Sequence, residues 1–255
     1  MTLDGKTIVV VGAAGRIGQE IVAATLEAGA SVMAVDHSES ALDVLQQRHG
    51  SRATLSCQVG DITDAASVAG MLGDAAERFG SLDGAVNTAY PRNAGYGRAF
   101  LDVTYADFCE NLSLHLGGYF LFMQQCAKYA IDKGTPLSLV NLSSIYGVMA
   151  PRFDIYAGTR MTMPVEYAAI KSGLIHLTRY ASAYAKGSRF RANCVSPGGI
   201  LAAQDTGFLE RYNAHCRSKG MLEARDTVGA VTFLLSDAAE FVVGQNIVVD
   251  DGFSL

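Results

Sequence analysis

Short runs of aliphatic and β-branched residues alternate along the chain with longer stretches in which apolar positions recur every three or four residues. The runs Thr7–Val11, Ser31–Val35, Ala53–Gln58, Leu82–Asn87, Pro136–Leu142, Arg189–Val195 and Asn246–Val249 predict strands. Most of them are continuously apolar instead of alternating, the pattern of strands covered on both faces. The stretches Ile17–Ala28, Ser40–Arg48, Ala65–Phe79, Tyr105–Ala130, Pro164–Ala185 and Thr227–Leu235 predict helices. Regular strand–helix alternation implies crossover connections, and so an α/β fold with a doubly wound parallel sheet of about seven strands. No repeat, low-complexity segment or linker interrupts it, so residues 1–255 are expected to form a single domain.

Composition narrows the class. About half of the 255 residues are apolar and 18% are charged, which suits a large buried core. A net charge of -5, with no long Lys/Arg run, argues against a nucleic-acid partner. Five scattered cysteines without a CxxC pair fit a reducing compartment, and no bound metal is expected. The first residues lack the regions of a signal peptide and no apolar run approaches a membrane span, so a cytoplasmic protein without a membrane partner is expected.

The first strand runs into Gly12-Ala13-Ala14-Gly15-Arg16-Ile17-Gly18 and then a helix. Small residues in a strand–turn–helix let the backbone approach a pyrophosphate, which the unpaired N–H groups of the helix N-terminus attract. Asp36 closes the second strand about 20 residues further on, where a carboxylate accepts hydrogen bonds from an adenosine ribose. A plain tight turn and an N-cap before Ser38 are the bland readings of the same residues. Together they point to a Rossmann-like site in which the Asp36 charge favours NAD and repels the 2′-phosphate of NADP. Arg16 and His37, close in sequence, oppose that preference.

Tyr167-Ala168-Ala169-Ile170-Lys171 puts a phenol and an ammonium on one helical face. A free phenol, with a pKa near ~10, is a poor proton carrier at neutral pH. A cation one turn away, together with an oxidised nicotinamide, favours the phenolate. Tyr129 and Lys133 share the spacing but lie at a helix end before Gly134, where a Lys is expected for capping. Tyr167 follows a strand that ends Asn141-Leu142-Ser143-Ser144, so it has a hydroxyl to work beside.

With these pieces on one chain, the sequence resembles the short-chain dehydrogenase/reductase family over its whole length. The matching motifs are Gly12–Gly18, Asp61-Ile62, Asn87-Thr88-Ala89, Ser144-Ile145-Tyr146-Gly147, Tyr167–Lys171, Ser196-Pro197-Gly198-Gly199 and Val249-Asp250-Asp251-Gly252. The resemblance implies hydride transfer between a nicotinamide and a secondary alcohol or ketone. Tyr167 would be the general acid/base, Lys171 the ribose binder and pKa tuner, and Ser144 the group that orients the substrate oxygen. It further implies Gly12, Gly15, Arg16, Ile17 and Gly18 at the phosphates, Asp61 and Ile62 at the adenine, Asn87 and Ala89 beneath the cofactor, and Pro197, Gly198 and Ile200 at the nicotinamide. Homotetramers or dimers built through the long helices are also implied.

Several positions depart from the family pattern. Val11 replaces a Thr, Gly15-Arg16 rearranges the glycine loop, Tyr90 replaces a Gly and Ala202 a Thr. Aligning Leu116-Gly117-Gly118-Tyr119-Phe120 puts His115 where the family has a catalytic Asn, with Asn111 one turn earlier. The spacing from Ser144 to Tyr167 is also long. The irregular stretches 90–100, 147–163 and 200–220 are expected to be substrate loops, with Gln204–Gly220 a lid if its helical half moves. Arg92, Arg152, Arg160, Tyr90 and Tyr156 in these loops fit a small polar, anionic substrate. The segments Asn87–Arg92 and Asn111–Tyr119 are similar to the branch found with flagellin-modification and nonulosonate sugar genes, which implies a sugar or sugar phosphate. The competing reading is a catalytically silent dinucleotide sensor or scaffold on the same fold.

Overall fold

In the computed structural model, which describes residues 2–255, seven parallel strands form one sheet in the order β3-β2-β1-β4-β5-β6-β7. They are β1 Thr7–Val11, β2 Ser31–Asp36, β3 Leu55–Val59, β4 Gly84–Asn87, β5 Leu137–Leu142, β6 Phe190–Pro197 and β7 Asn246–Val249. Each expected strand is present, with its ends moved by at most two residues. The order reverses between β1 and β4, which opens a crevice above the carboxyl ends of these two strands.

Helices cover both faces: α1 Arg16–Glu27, α2 Glu39–His49 and α8 Val228–Leu235 on one, α3 Ala65–Phe79, α5 Gly118–Lys133 and α6 Val165–Tyr184 on the other. The apolar run of β1 is explained by this arrangement. Ile8 and Val10 pack with Ile21, Val22, Leu234 and Leu235, whereas Val9 and Val11 pack with Val68, Met71, Phe122 and Leu174. Period-2 geometry sends successive side chains to opposite cores. Helix starts carry ordinary caps, such as Ser38 accepting from the Ala41 N–H and Asp64 from the Ser67 N–H.

One expectation needs correcting, and the helical half expected within Gln204–Gly220 is present. The single helix Tyr105–Ala130 is instead α4 Tyr105–Asn111, a π-helical turn Leu112–Gly117, and α5. A π turn inserts residues into the ladder and re-aims one side chain, here His115. The stretch Gln204–Gly220 contains an ordered helix, α7 Thr206–Asn213, capped by Asp205. Its Phe208 and Tyr212 pack with Ile145, Ile155, Met221 and Phe253 in a small third core. No helix among the described residues is long and apolar enough to cross a membrane.

Candidate active site

The crevice at the β1/β4 switch point is a cleft of about 720 Å³ lined by Gly12, Gly15, Asp36, Asp61, Ile62, Ala89, Tyr90, Arg92 and Leu114, among others. Gly12 has φ +73°, and a Cβ there would lie 2.7 Å from Thr88 Oγ1 and 2.8 Å from the Ala89 nitrogen. A Cβ at Gly18 would sit 2.1 Å from the Gly12 carbonyl oxygen. Both positions exclude a side chain, and Gly15 precedes α1 with no side-chain cap on its N–H groups. The turn is therefore a bare backbone cradle at a helix N-terminus, and these residues fit a dinucleotide pyrophosphate.

Asp36 is buried at the end of β2, where it accepts from the N–H groups of Ala14 (3.0 Å) and Ser38 (3.3 Å). The exposed His37 lies 3.0 Å from the same carboxylate. Arg16 points elsewhere: its guanidinium donates to the Leu201 carbonyl at 3.2 Å, across the mouth of the cleft. Of the two basic neighbours expected to oppose an NAD preference, only His37 is beside Asp36.

At the inner end, Ser144 follows β5, and Tyr167 and Lys171 project from the first two turns of α6. The elements are pinned together by the Ser143 hydroxyl, which donates to the Lys171 carbonyl at 2.9 Å. Lys171 is buried, with Nζ donating to the Leu142 carbonyl at 2.7 Å and lying 3.3 Å from His115 Nε2. It also sits 5.5 Å from the Tyr167 ring centroid. Asn87 is fully buried at the end of β4; its Oδ1 accepts from the Ala89 N–H and its Nδ2 has no partner among the described residues.

The electrostatics differ from expectation in one respect. Burial pushes the Tyr167 phenol well above its ordinary value, while a hydrogen bond with Ser144 pulls it the other way. Burial also lowers Lys171 to about 7, with Cys194 opposing. In the chain by itself desolvation outweighs the help of Lys171, so a phenolate at neutral pH needs the further positive charge that the sequence reading included.

A family model described as Enoyl-(Acyl carrier protein) reductase matches residues 12–254. The chain belongs to the short-chain dehydrogenase/reductase family of oxidoreductases. It is 38% identical to the Post-translational flagellin modification protein A of Campylobacter coli, over 99% of this chain and 100% of that protein. It is 30% identical to a 2,5-dichloro-2,5-cyclohexadiene-1,4-diol dehydrogenase of Sphingobium indicum, over 99% and 98%. Among solved structures, a short chain dehydrogenase from Leptospira borgpetersenii with bound NAD+ superposes with TM-score 0.86 at 31% identity, over 100% and 94% of the two chains.

Two of the departures from the family pattern, Tyr90 and His115, meet. Tyr90, in place of a Gly, packs edge-on against Tyr167 (5.7 Å) and His115 (5.1 Å) and shares a 2.6 Å hydroxyl contact with Tyr96. Asn111 does not reach Lys171; it exchanges hydrogen bonds with Asn93 and so anchors the 90–100 loop. In the 147–163 loop, Arg152 is corrected as a substrate residue. Its guanidinium donates to the carbonyls of Phe253 and Leu255 and covers the Phe253 ring, so the chain's own C-terminal backbone uses it. Tyr156 is partly buried and packs against the third core, sharing a hydroxyl contact with Tyr146 at 2.9 Å. Arg160 is exposed, and Arg92 lies over the Tyr90 ring at 5.0 Å. The sequence reading missed Glu166, fully buried beside Tyr167 with neither carboxylate oxygen hydrogen-bonded among the described residues. Its neighbours Tyr90 and Tyr96 come from a distant loop, and no spacing signals that meeting.

Proposed function

We propose that this protein is an NAD-dependent dehydrogenase/reductase that moves a hydride between the nicotinamide and a secondary alcohol or ketone of a small polar substrate. The meeting of Ser144, Tyr167 and Lys171 beside the Gly12–Gly18 cradle supports this reading above all else. Gly12, Gly15, Ile17 and Gly18 hold the pyrophosphate, with Arg16 across the mouth of the cleft. Asp36 holds the adenosine ribose, Asp61 and Ile62 border the adenine, and Asn87, Ala89, Pro197, Gly198 and Ile200 border the inner half.

NAD, when bound, would supply the two-electron acceptor for the hydride of the carbinol carbon. Tyr167 takes the hydroxyl proton in oxidation and returns one to the carbonyl oxygen in reduction. Ser144 hydrogen-bonds the substrate oxygen and so fixes which carbon faces the cofactor. Lys171 holds the inner ribose and, as an ammonium, favours the Tyr167 phenolate.

The substrate is a sugar or sugar phosphate. Arg92 is the cation that remains at the cleft once Arg152 is committed to the C-terminus, and Tyr90 offers an aromatic wall with a hydroxyl edge; Arg160 and Tyr156 are farther out on the same side. The resemblance to the flagellin-modification branch points the same way. The enzyme is a homo-oligomer, a tetramer or dimer, joined through the outer faces of α5 and α6. It works in the cytoplasm.

The test is NADH appearance across a panel of polyols, sugars and sugar phosphates, with two variants in parallel. Tyr167→Phe lowers turnover by at least ~10²-fold with NAD affinity little changed, whereas Tyr129→Phe does neither. Full turnover in Tyr167→Phe, or no NADH from any member of the panel, overturns the reading.

A further inference from the structure

The ammonium of Lys171 meets a ring nitrogen where the spacing of the motif gives no reason to expect one. Nζ lies 3.3 Å from His115 Nε2, and its other acceptor is the Leu142 carbonyl at 2.7 Å. An ammonium has only donors, so a ring nitrogen that it bonds must present a lone pair. His115 then carries its proton on Nδ1, which is buried with no partner among the described residues.

Three features hold the ring there. The π-helical turn Leu112–Gly117 aims residue 115 toward α6. The Tyr90 ring packs edge-on at 5.1 Å, and the Tyr119 ring lies tilted against the imidazole at 5.3 Å. His115 itself is completely buried, so its ring meets protein on every side.

We infer that His115 is a positioning residue: its neutral imidazole accepts a hydrogen bond from Lys171 and holds the ammonium beneath Tyr167. The inference rests on the roles proposed above for Tyr167 and Lys171. The groups facing the pair are Tyr90 and Arg92 from the loop after β4, Tyr119 on α5, Tyr167 on α6 and Cys194 on β6, with Glu166 behind Tyr90. Burial first, then the charges of Lys171 and Arg92, hold the imidazole down to about 2, so it is neutral wherever the enzyme works.

The direction of the effect follows. An acceptor bond to the charged form raises the proton affinity of Lys171 against the pull of burial. Without that acceptor Lys171 loses its proton at lower pH, and the Tyr167 phenolate forms only at higher pH. Alcohol oxidation needs the phenolate, so the rising limb of kcat against pH moves to the alkaline side.

The experiment compares unmutated enzyme, His115→Leu and His115→Gln on the alcohol that gives the fastest NAD reduction in the panel. Leu removes the acceptor and Gln restores one through its amide oxygen. We expect the limb in His115→Leu to move up by about one pH unit, and in His115→Gln to return most of the way. A folded His115→Leu with unchanged NAD affinity and an unmoved limb overturns the inference and leaves His115 as packing.

Histidine-selective 15N NMR of the unmutated chain gives a second measure that needs no substrate. One histidine, missing from the His115→Gln spectrum, should stay neutral with Nδ1 protonated from about pH 5 to about pH 8. A protonated Nε2 overturns the inference even if Leu fails to fold. Tyr167→Phe run alongside separates the two readings, because its loss of turnover is independent of the His115 tautomer.

Discussion

Asp36 shows how one side chain sets a preference through both its charge and its anchoring. Its carboxylate is held by two backbone N–H groups, one of them on Ala14 inside the glycine turn. The acid therefore fixes the shape of the phosphate cradle as well as the sign of the field at the ribose. With Arg16 committed to the Leu201 carbonyl, the exposed His37 is the basic group that touches it. In Asp36→Ala, NAD loses a ribose acceptor and NADP loses a repulsion, so the two affinities converge by about 1–3 kcal/mol. Parallel titrations of the two cofactors check this, and an unmutated enzyme that prefers NADP would contradict it. The same scale marks a limit of sequence reading. Arg152 and Arg92 are both loop arginines in a chain with few charges, yet one binds the chain's own terminal carbonyls and the other lines the cleft. Polar density in a loop cannot separate those uses, because both satisfy the same guanidinium donors.

Element by element, the sheet was legible and the breaks in the helices were not. The central strands β1, β2 and β4 are buried on both faces and so read as nearly continuous apolar runs, whereas the edge strands β3 and β7 are only partly buried and stand out by their short β-branched runs between helical flanks. The helix after β4 carries helical periodicity on both sides of its π turn, and a local widening leaves no trace in that pattern. What stabilises the turn is tertiary: His115 against Lys171, and Gly118 where a Cβ would meet Ile62 Cδ1 at 2.8 Å. The packing of α7 is likewise silent in the local pattern, because the residues it meets, Ile145, Ile155 and Phe253, come from far along the chain. Asp251 performs a related task at the end of the fold. At φ +53° it accepts from the N–H groups of Ser218 (2.9 Å) and Gly220 (2.8 Å) and from the Ser218 hydroxyl (2.7 Å), tying the loop after α7 to the tail after β7. These bonds hold its carboxyl at about 2, below the unfolded value. A depressed carboxylate pKa adds stability that is complete above the unfolded value near ~4 and is lost as pH falls through about 2. Asp251→Asn keeps a residue that tolerates the left-handed backbone and removes the charge. It should melt at lower temperature than the unmutated chain at pH 7, and the two melting curves should draw together as pH falls below about 4 and converge below about pH 2. A difference that persists undiminished in acid would assign the loss to geometry instead of charge.

At the scale of the whole molecule, α5 and α6 also present an exposed aromatic surface on their outer faces. Phe120 on α5 is 47% exposed, and Tyr180 and Tyr184 on α6 are 65% and 75% exposed, around a groove that also includes Ile131, Lys128 and Asp132. The homo-oligomer proposed above would place a second copy of the chain on this face. An isologous two-fold contact would bring each helix pair against its equivalent and bury the aromatic rings. It would also set Lys128 of one copy near Asp132 of the other, since opposite charges one turn apart complement themselves when reversed. The inner face of α6 carries Tyr167 and Lys171, and the π turn that leads into α5 carries His115, so the three are spaced by packing and not by covalent neighbours. Association would therefore stiffen the site from behind. Phe120→Glu combined with Tyr180→Glu buries two unpaired carboxylates in that contact, which it cannot tolerate. Sedimentation should show the variant as a smaller species than the unmutated protein at equal concentration. Its melting temperature should fall, and its turnover should drop even though neither side chain faces the cleft. A variant of unchanged size would remove α5 and α6 as the interface. A smaller species with full turnover would show that each subunit holds its own site rigid.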